Sequence, residues 1–462
     1  MTLAALSLAA LRRCLRLAVA FAGLLFVPAT AFAQDSAPII FPGTQYEPIE
    51  WSDLDGWESD DHAAAFAAFL TSCQTLDTKR HQDLTGIPGA LRDICERARE
   101  AIPLDEDGAR KFFEENFRLI RINRIGDADG FLTGYYEPII DGSRVPTGNF
   151  TAPLYRRPPN LVVSGWRRFG KDAFPSKGVL VGRRFGRRKI VPYYTRAEIE
   201  DGALDGWHLE ICYLHDQVDV LFAQIQGSAR IRLEDGTILR VNYDSHNGWP
   251  YTPVGRVMVA NKIMTSDQVS MQSIREWMEA DPDPAKDVRR QNKSYVFFRI
   301  TDLATEDEAV GGEGVELMPG RSIAIDRALH AYGTPFFIQA SLPIADNKVG
   351  TKFDRLMIAQ DTGSAIVGPA RADIYFGAGA EAARIAGRIK NSGDFVMLIP
   401  NALDPVAAGN DMPLPRERPS AFSFNLGSTT MEDPTAVDPA PDAVQPATAP
   451  APKGKAKPRQ KK

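Results

Sequence analysis

The sequence predicts a mainly β protein with flanking helices, and three observations carry that expectation. Apolar residues recur at three- and four-residue spacing from Ser59 to Ile122, the period changes at Gly130, and short runs separated by turn residues dominate from there to Pro400. At 462 residues the chain has room for two or three domains and a substantial core. Its 44% hydrophobic and 24% charged residues are ordinary for a globular protein. A net charge of −5 argues against nucleic-acid binding, which needs a clustered basic face.

The first 33 residues are expected to be removed. Arg12, Arg13 and Arg16 form a basic start, a short apolar run follows, and Ala31 and Ala33 precede Gln34 in the manner of a secretory signal peptide. That apolar run is too short for a comfortable membrane span, and no other stretch approaches one. Gln34, not a cysteine, stands directly after the expected cleavage site, and Cys14, in LRRC, is not in a lipoprotein box. An exported, soluble mature protein is the expectation.

Three helical stretches come next: DDHAAAFAAFL, GALRDICERAREAI and GARKFFEENFRLIRI. Cys73 and Cys95 lie in neighbouring ones, and the sequence leaves open whether they form a disulfide or stay as two buried thiols. GFLTGYYEPIIDGSRV reads as a strand running into a turn at Asp141-Gly142-Ser143. Short strands and turns follow to Tyr243, with Cys212 a small buried strand residue and a hairpin turning at Asp235-Gly236. A helical interlude, VGRVMVANKIM and SMQSIREWMEA, has Ser266 and Asp267 as candidate caps. SYVFFRI returns to strand. Short strands run from Ser322 to Pro400, interrupted by the helix GAEAARIAGRIK, with Gly393 shortly beyond it. From about Gly427 the Pro/Ala-rich sequence cannot build a core and reads as a disordered tail. Its basic end suits an anionic polymer or a membrane surface, and equally a merely solubilising role.

The motifs exclude more than they assign. The histidines form no HExxH and there is no Cys-x-x-Cys, so no metal is expected. Neither a GxSxG elbow nor a phosphate loop occurs, so no cofactor is expected. Asp361-Thr362-Gly363-Ser364 reads like the turn of a pepsin-like protease, but that chemistry needs a second such turn and the chain has none. Asp361 and Asp373 stand 12 residues apart across what reads as turn, short strand and turn. Folded back, they would share one rim of a barrel, where a carboxyl beside a carboxylate keeps its proton and can give it to a leaving oxygen. Read from spacing alone, each is as well a turn-former.

Four blocks add a resemblance: LTGYYEP (Leu132 to Pro138), QIQGSARIRLEDG (Gln224 to Gly236), NKSYVFFR (Asn292 to Arg299), and AIDRALHAYGTPFFI with AQDTGSAIVGPARADIYFG. In this order they resemble the membrane-bound lytic murein transglycosylase A family. The last block is similar to a domain named for three aspartates, here Asp326, Asp361 and Asp373. The resemblance implies a discontinuous double-psi β-barrel with an inserted second β-rich domain. The implied division is a signal peptide at 1–33, barrel segments at 34–137 and 301–426, the insert at 138–300, and the tail at 427–462. It makes Asp373 the catalytic acid and base, Asp361 its support, and Thr133 part of a glycan groove. Tyr135, Tyr136, Gln226 and Ser228 are further groove candidates, although paired tyrosines on a strand also simply alternate between core and surface. Arg371 orients Asp373, binds the lactyl group of the substrate, or is a solvated charge. Two departures stand out: the lipid-anchor cysteine is missing, and the long tail is an addition.

The implied activity is that of a peptidoglycan lytic exotransglycosylase, a carbon–oxygen lyase. It would cut the β-1,4 bond between N-acetylmuramic acid and N-acetylglucosamine without water and leave 1,6-anhydromuramic ends during wall turnover and remodelling. The implied setting is the periplasm of a Gram-negative bacterium, at the wall or the outer membrane, with glycan strands as partner to a monomer. Recruitment by cell-wall synthesis enzymes stays open. Two other classes remain: a hydrolytic glycosidase that uses Asp361 as base, and a non-catalytic wall-binding module.

Overall fold

The computed structural model describes residues 43–78, 86–102, 104–164, 180–186, 189–345 and 350–404. The expected leader, Cys14 and the tail lie outside the described residues. Strand β1 (Thr44–Ile49) pairs antiparallel with β2 (Phe117–Arg124), and α1 (His62–Thr78), α2 (Ile87–Glu100) and α3 (Glu106–Asn116) lie between them in sequence. After β3 (Gly130–Glu137) the chain leaves the first sheet. It runs through β4 (Ile139–Ser143), β5 (Ala152–Tyr155), β6 (Leu161–Ser164), β7 (Leu180–Phe185), β8 (Lys189–Val191), α4 (Arg196–Glu200), β9 (Glu210–Leu214) and α5 (Gln217–Gln226). Next come β10 (Ser228–Arg232), β11 (Ile238–His246), α6 (Val254–Ala260), α7 (Met271–Ala280), α8 (Pro282–Gln291) and β12 (Val296–Ile300). The chain then returns with β13 (Ser322–Ile325), β14 (Pro335–Leu342), β15 (Thr351–Thr362), β16 (Arg371–Ala378), α9 (Gly379–Ala386) and β17 (Lys390–Pro400).

Six strands close on themselves in the order β3-β17-β14-β15-β13-β16, with β16 pairing back to β3 in parallel. β17 does double duty. Its first residues pair with β3 and its last with β2, which carries β1 outward. The largest core cluster joins inward residues such as Leu132, Ile374, Phe337 and Val396 to the three helices, whose Phe66, Phe69, Phe112 and Phe113 interlock at 5.0–6.4 Å between ring centroids. Cys73 of α1 and Cys95 of α2 are bonded, which settles the open pairing. The second sheet, β12-β11-β10-β4-β9-β5, draws only on residues between Ile139 and Ile300. Helices α5 to α8 bury Phe222, Met258, Ile274 and Val288 in a cluster of their own.

Several local expectations are corrected. The helical pattern stops at Asn116, and Phe117 onward is strand β2 because it bridges β1 and β17. Asp141-Gly142-Ser143 is not a turn but the end of β4. Gly142 is there because a Cβ would meet Ile231 Cγ2 at 2.6 Å. Residues 217–226 are helical where short strands were expected, with Asp216 accepting from the Val218 and Asp219 N–H groups and Gly227 closing the end at φ 85°. Ser266 and Asp267 do not cap α7; Ser270 does, in a capping box with Ser273. No strand lies between Thr362 and Arg371, and Gly393 sits inside β17, not at a helix end.

A buried ion cluster joins the two sheets. Glu137, at the end of β3, accepts from Arg230 Nε at 2.7 Å and Arg240 Nη2 at 3.1 Å. Both arginines also hold the returning chain, Arg230 through the Thr305 and Asp307 carbonyls and Arg240 through the Asp307 carbonyl. Desolvation of three charges is offset by these ion pairs and carbonyl contacts, although Arg240 Nε is buried without a hydrogen-bond partner among the described residues.

The disulfide closes a short loop between buried helices, with a sequence separation of 22. A Cys73→Ala, Cys95→Ala double variant is expected to lose about 3 kcal/mol, read as a lower urea midpoint. An unchanged midpoint would show that helix packing alone fixes this pair.

Candidate active site

Backbone register assembles the candidate site. Ala324 of β13 pairs with Asp361 of β15 on one side and with Asp373 of β16 on the other, and Asp373 pairs with Thr133 of β3. A bulge between Ile323 and Ala324 makes this row possible, because Gln360 becomes the extra residue and Asp361 is re-aimed. Two strand spacings of about 4.8 Å separate the aspartate backbones, and small Ala324 between them leaves their side chains in view of each other. On β3 and β16, Leu132, Ala372 and Ile374 enter the main core, while Tyr135, Tyr375 and Ala324 belong to a separate small cluster on the opposite face. That second face carries the aspartates.

Each aspartate has distinct partners. Thr133 Oγ1 donates to Asp373 Oδ1 at 2.8 Å and itself accepts from Arg371 Nη2 at 2.7 Å. Among the described residues Asp373 Oδ2 has no hydrogen-bond partner. Burial pushes the Asp373 carboxyl up to about 6. Arg371 and Thr133 oppose that rise and the Asp361 charge adds to it. Asp361 accepts from the Gly312 N–H at 2.7 Å, from its neighbour Thr362 N–H at 2.8 Å, and from Tyr135 Oη at 2.8 Å. Burial raises its pKa as well, against the pull of those three donors. Burial and Asp361 together hold the Tyr135 phenol well above its usual range, so it stays a donor. Across from Asp373, Tyr251 is pushed up to about 12 by burial, and the Asp373 charge contributes.

Comparison with known proteins decides the family. Residues 131–299 match the MltA specific insert domain and residues 321–399 match the 3D domain. A membrane-bound lytic murein transglycosylase from Agrobacterium tumefaciens superposes with a TM-score of 0.70 at 34% identity, covering 79% of this chain and 99% of that one. Membrane-bound lytic murein transglycosylases A of Vibrio cholerae and Escherichia coli are 30% and 32% identical over 273 and 288 residues. Those alignments span 58% and 61% of this chain, and 65% and 68% of the relatives' own lengths. The MltA of Escherichia coli with bound chitohexaose matches at a TM-score of 0.53 and 25% identity, over 74% of this chain and 90% of that one. The chain belongs to the membrane-bound lytic murein transglycosylase A family. Proteins of that name are enzymes acting on peptidoglycan, and their solved folds share the mainly β architecture with a closed six-stranded barrel.

In this transglycosylase A family member, the residues expected at a site divide into two groups. Asp361, Asp373, Thr133, Tyr135 and Arg371 meet as two hydrogen-bonded groups, Arg371-Thr133-Asp373 and Tyr135-Asp361, whose charges face each other. Tyr136 points the other way, toward Arg275 and Asp219, and its N–H donates to Gln226 Oε1 at 3.1 Å. Ser228 is buried at the start of β10. Asp326 stands apart from the pair. Its carboxylate accepts from Ala328 N–H at 3.0 Å and Gly368 N–H at 2.9 Å, which ties down the loop between the other two aspartates. The sequence reading missed Gly312 and Tyr375, whose hydroxyl donates to Glu308 at 2.7 Å. The run Gly311-Gly312-Glu313-Gly314 was a visible signal for the first. Among the described residues no helix is long and apolar enough to cross a membrane, and no cluster could hold a metal ion.

The raised pKa makes a stability test. With 3.8 as the ordinary value and about 6 in the fold, the native state holds its proton longer than the unfolded chain as pH rises. Asp373 therefore costs stability progressively from pH 4 to 6, and the full cost persists above. Asp373→Asn should gain on the wild type across that window, by no more than about 3 kcal/mol because the carboxyl is half-buried and partly screened. Melting curves from pH 4 to 8 check this, and a constant difference would contradict the raised value.

Proposed function

We propose that the chain is a lytic transglycosylase that cleaves the β-1,4 bond between N-acetylmuramic acid and N-acetylglucosamine without hydrolysis. One observation carries the reading: Thr133 holds Asp373 Oδ1 and leaves Oδ2 without a partner among the described residues, in a setting where burial pushes the carboxyl up to about 6. Oδ2 gives its proton to the glycosidic oxygen as that bond to the anomeric carbon breaks. The muramyl 6-hydroxyl then attacks the anomeric carbon and its proton returns to Asp373, closing a 1,6-anhydro ring. The nucleophile belongs to the substrate, so proximity replaces a second catalytic carboxylate. Asp361 is suited to support. Three protein donors already occupy it, which favours a fixed anion over the base that a hydrolase would need.

On this reading the described residues within segments 34–137 and 301–426 form the barrel domain, of the double-psi kind, and those within 138–300 an inserted one. Its two parallel pairs, β13 with β15 and β16 with β3, suit that barrel type. Thr133, Tyr135 and Arg371 line a glycan groove between barrel and insert, with Tyr136, Gln226 and Ser228 on the insert side. A relative that holds chitohexaose, a β-1,4-linked amino-sugar chain, fits such a groove. The protein would work as an exported monomer in the periplasm, in wall turnover and remodelling.

Mass analysis of products from purified peptidoglycan tests the reading. Anhydro ends are expected; reducing ends would mean a hydrolase, and no products a binding module. Asp373→Asn should lower turnover at least ~100-fold, the usual contribution of general acid–base catalysis, with glycan binding retained. Asp361→Asn should cost less. Equal loss in both variants would point to a two-carboxylate mechanism.

A further inference from the structure

Gly311-Gly312-Glu313-Gly314 forms a tight loop, with the Gly314 N–H bonded to the Gly311 carbonyl at 3.0 Å and Gly314 at φ 95°. It lies against β15 beside Asp361. The Glu313 N–H donates to the Gln360 carbonyl at 3.0 Å, and a Cβ at Gly311 would meet that same oxygen at 2.6 Å. A Cβ at Gly312 would meet Tyr332 Oη at 2.5 Å, so a side chain here would have to displace that phenol, whereas glycine leaves the N–H free to reach Asp361 Oδ1. Glu313 is 8% exposed and turns away from the aspartates toward α1. Ser72 Oγ donates to its Oε2 at 2.7 Å, and Thr75 shares its hydroxyl proton between Glu313 Oε1 at 3.1 Å and the Ser72 carbonyl at 2.9 Å. Ser72 also accepts from Gln360 Nε2 at 3.0 Å, so the bulged residue and the loop share one anchor.

We propose that Glu313 is a positioning residue: gripped by Ser72 and Thr75, it holds the glycine loop so that the Gly312 N–H fixes the Asp361 carboxylate opposite Asp373. Glu313 touches neither substrate nor Asp373. It acts through one backbone donor. The inference deepens the transglycosylase reading and rests on it for the meaning of Asp373, but its geometry stands on the residues above. The ionisable groups facing the aspartates from neighbouring elements are Tyr135 on β3, Tyr332 after β13 with Arg327 stacked on its ring, Arg371 on β16, and Tyr251 after β11. Burial pushes Tyr332 and Tyr251 up to about 12, so both stay neutral near pH 6. Asp361 is the carboxylate that the loop contacts directly. If the Gly312 donor drifts away, Asp361 holds its own proton more readily, and its charge lifts Asp373 less.

Carboxyl carbon-13 titration of aspartate-labelled full chain reads this directly, with the Asp373 signal assigned by its loss in Asp373→Asn. The wild-type midpoint is expected near 6. In Glu313→Ala it should fall by about half a unit or more, and in Glu313→Gln, which still accepts from Ser72, by less. Turnover on peptidoglycan should drop roughly 10- to 100-fold in Glu313→Ala, as displaced catalytic groups do, with KM within about twofold. A purely structural role would lower melting temperature and leave the midpoint in place. An unmoved midpoint or an unmoved turnover overturns the proposal. If Glu313→Ala fails to fold, Ser72→Ala with Thr75→Val removes the anchor and leaves Glu313, and the same two readings decide. Failure of the transglycosylase reading looks different: the wild type releases no anhydro ends or Asp373→Asn stays active, while the titration still answers for the loop.

Discussion

The parallel pairing of β3 with β16 is the constraint on which the rest of this structure depends. It closes the six-stranded ring and sets Thr133 beside Asp373, although 240 positions separate them in sequence. The same strand delivers Tyr135 to Asp361 and ends at Glu137, where the second sheet is anchored. A slip of one residue would send Thr133 and Tyr135 into the core and expose Leu132. The register is protected at two points on the core face. Leu132 belongs to the main core, and a Cβ at Gly134 would meet Ala386 Cα at 2.8 Å, so β3 cannot shift without a steric clash.

Two groups of buried carboxylates use the same low-polarity setting for opposite ends. Glu137 faces two guanidinium groups and serves as a structural anchor. Removing one partner of such a cluster typically costs ~3–5 kcal/mol, because the others are left buried without compensation. Asp373 has one arginine nearby, which acts on it through its charge and through the Thr133 hydroxyl it holds, and a second carboxylate as neighbour. Partial compensation leaves its proton transferable. What separates an anchor from an acid here is the number of cations within reach, and the chain supplies both kinds from one strand and its neighbours.

Much of the site was legible in the sequence, but unevenly. Asp361, Asp373 and Thr133 could be named because each lies in a short motif, and the hairpin at Asp235-Gly236 because its turn chemistry is local, with Gly236 at φ 81°. The bulge at Gln360 could not be seen, since it exists only relative to β13. Phe117 to Ile122 continues a helical period and yet is strand, because pairing with β17 outweighs a weak local preference. Asp141-Gly142-Ser143 has turn composition, but Gly142 serves close approach to Ile231. Asp326 shares the motif name with the other two aspartates and yet only braces a loop. Tertiary partners, absent from the local sequence, decided each of these cases.

The support for the aspartates runs outward into the disulfide-linked helices at the start of the chain. Asp361 is held by a glycine loop, the loop by Glu313, and Glu313 by Ser72 and Thr75 of α1. Residue 73, lying between those two hydroxyls, is the cysteine bonded to α2. Helix α1 is thus fixed by a covalent link beside the hydroxyls that grip Glu313. A carboxylate held away from its preferred protonation state needs such backing, because it would otherwise turn toward solvent and lose the raised pKa that burial gives it. The helices at the start of the chain thereby extend the support of the site, although none of their side chains contacts the aspartate pair.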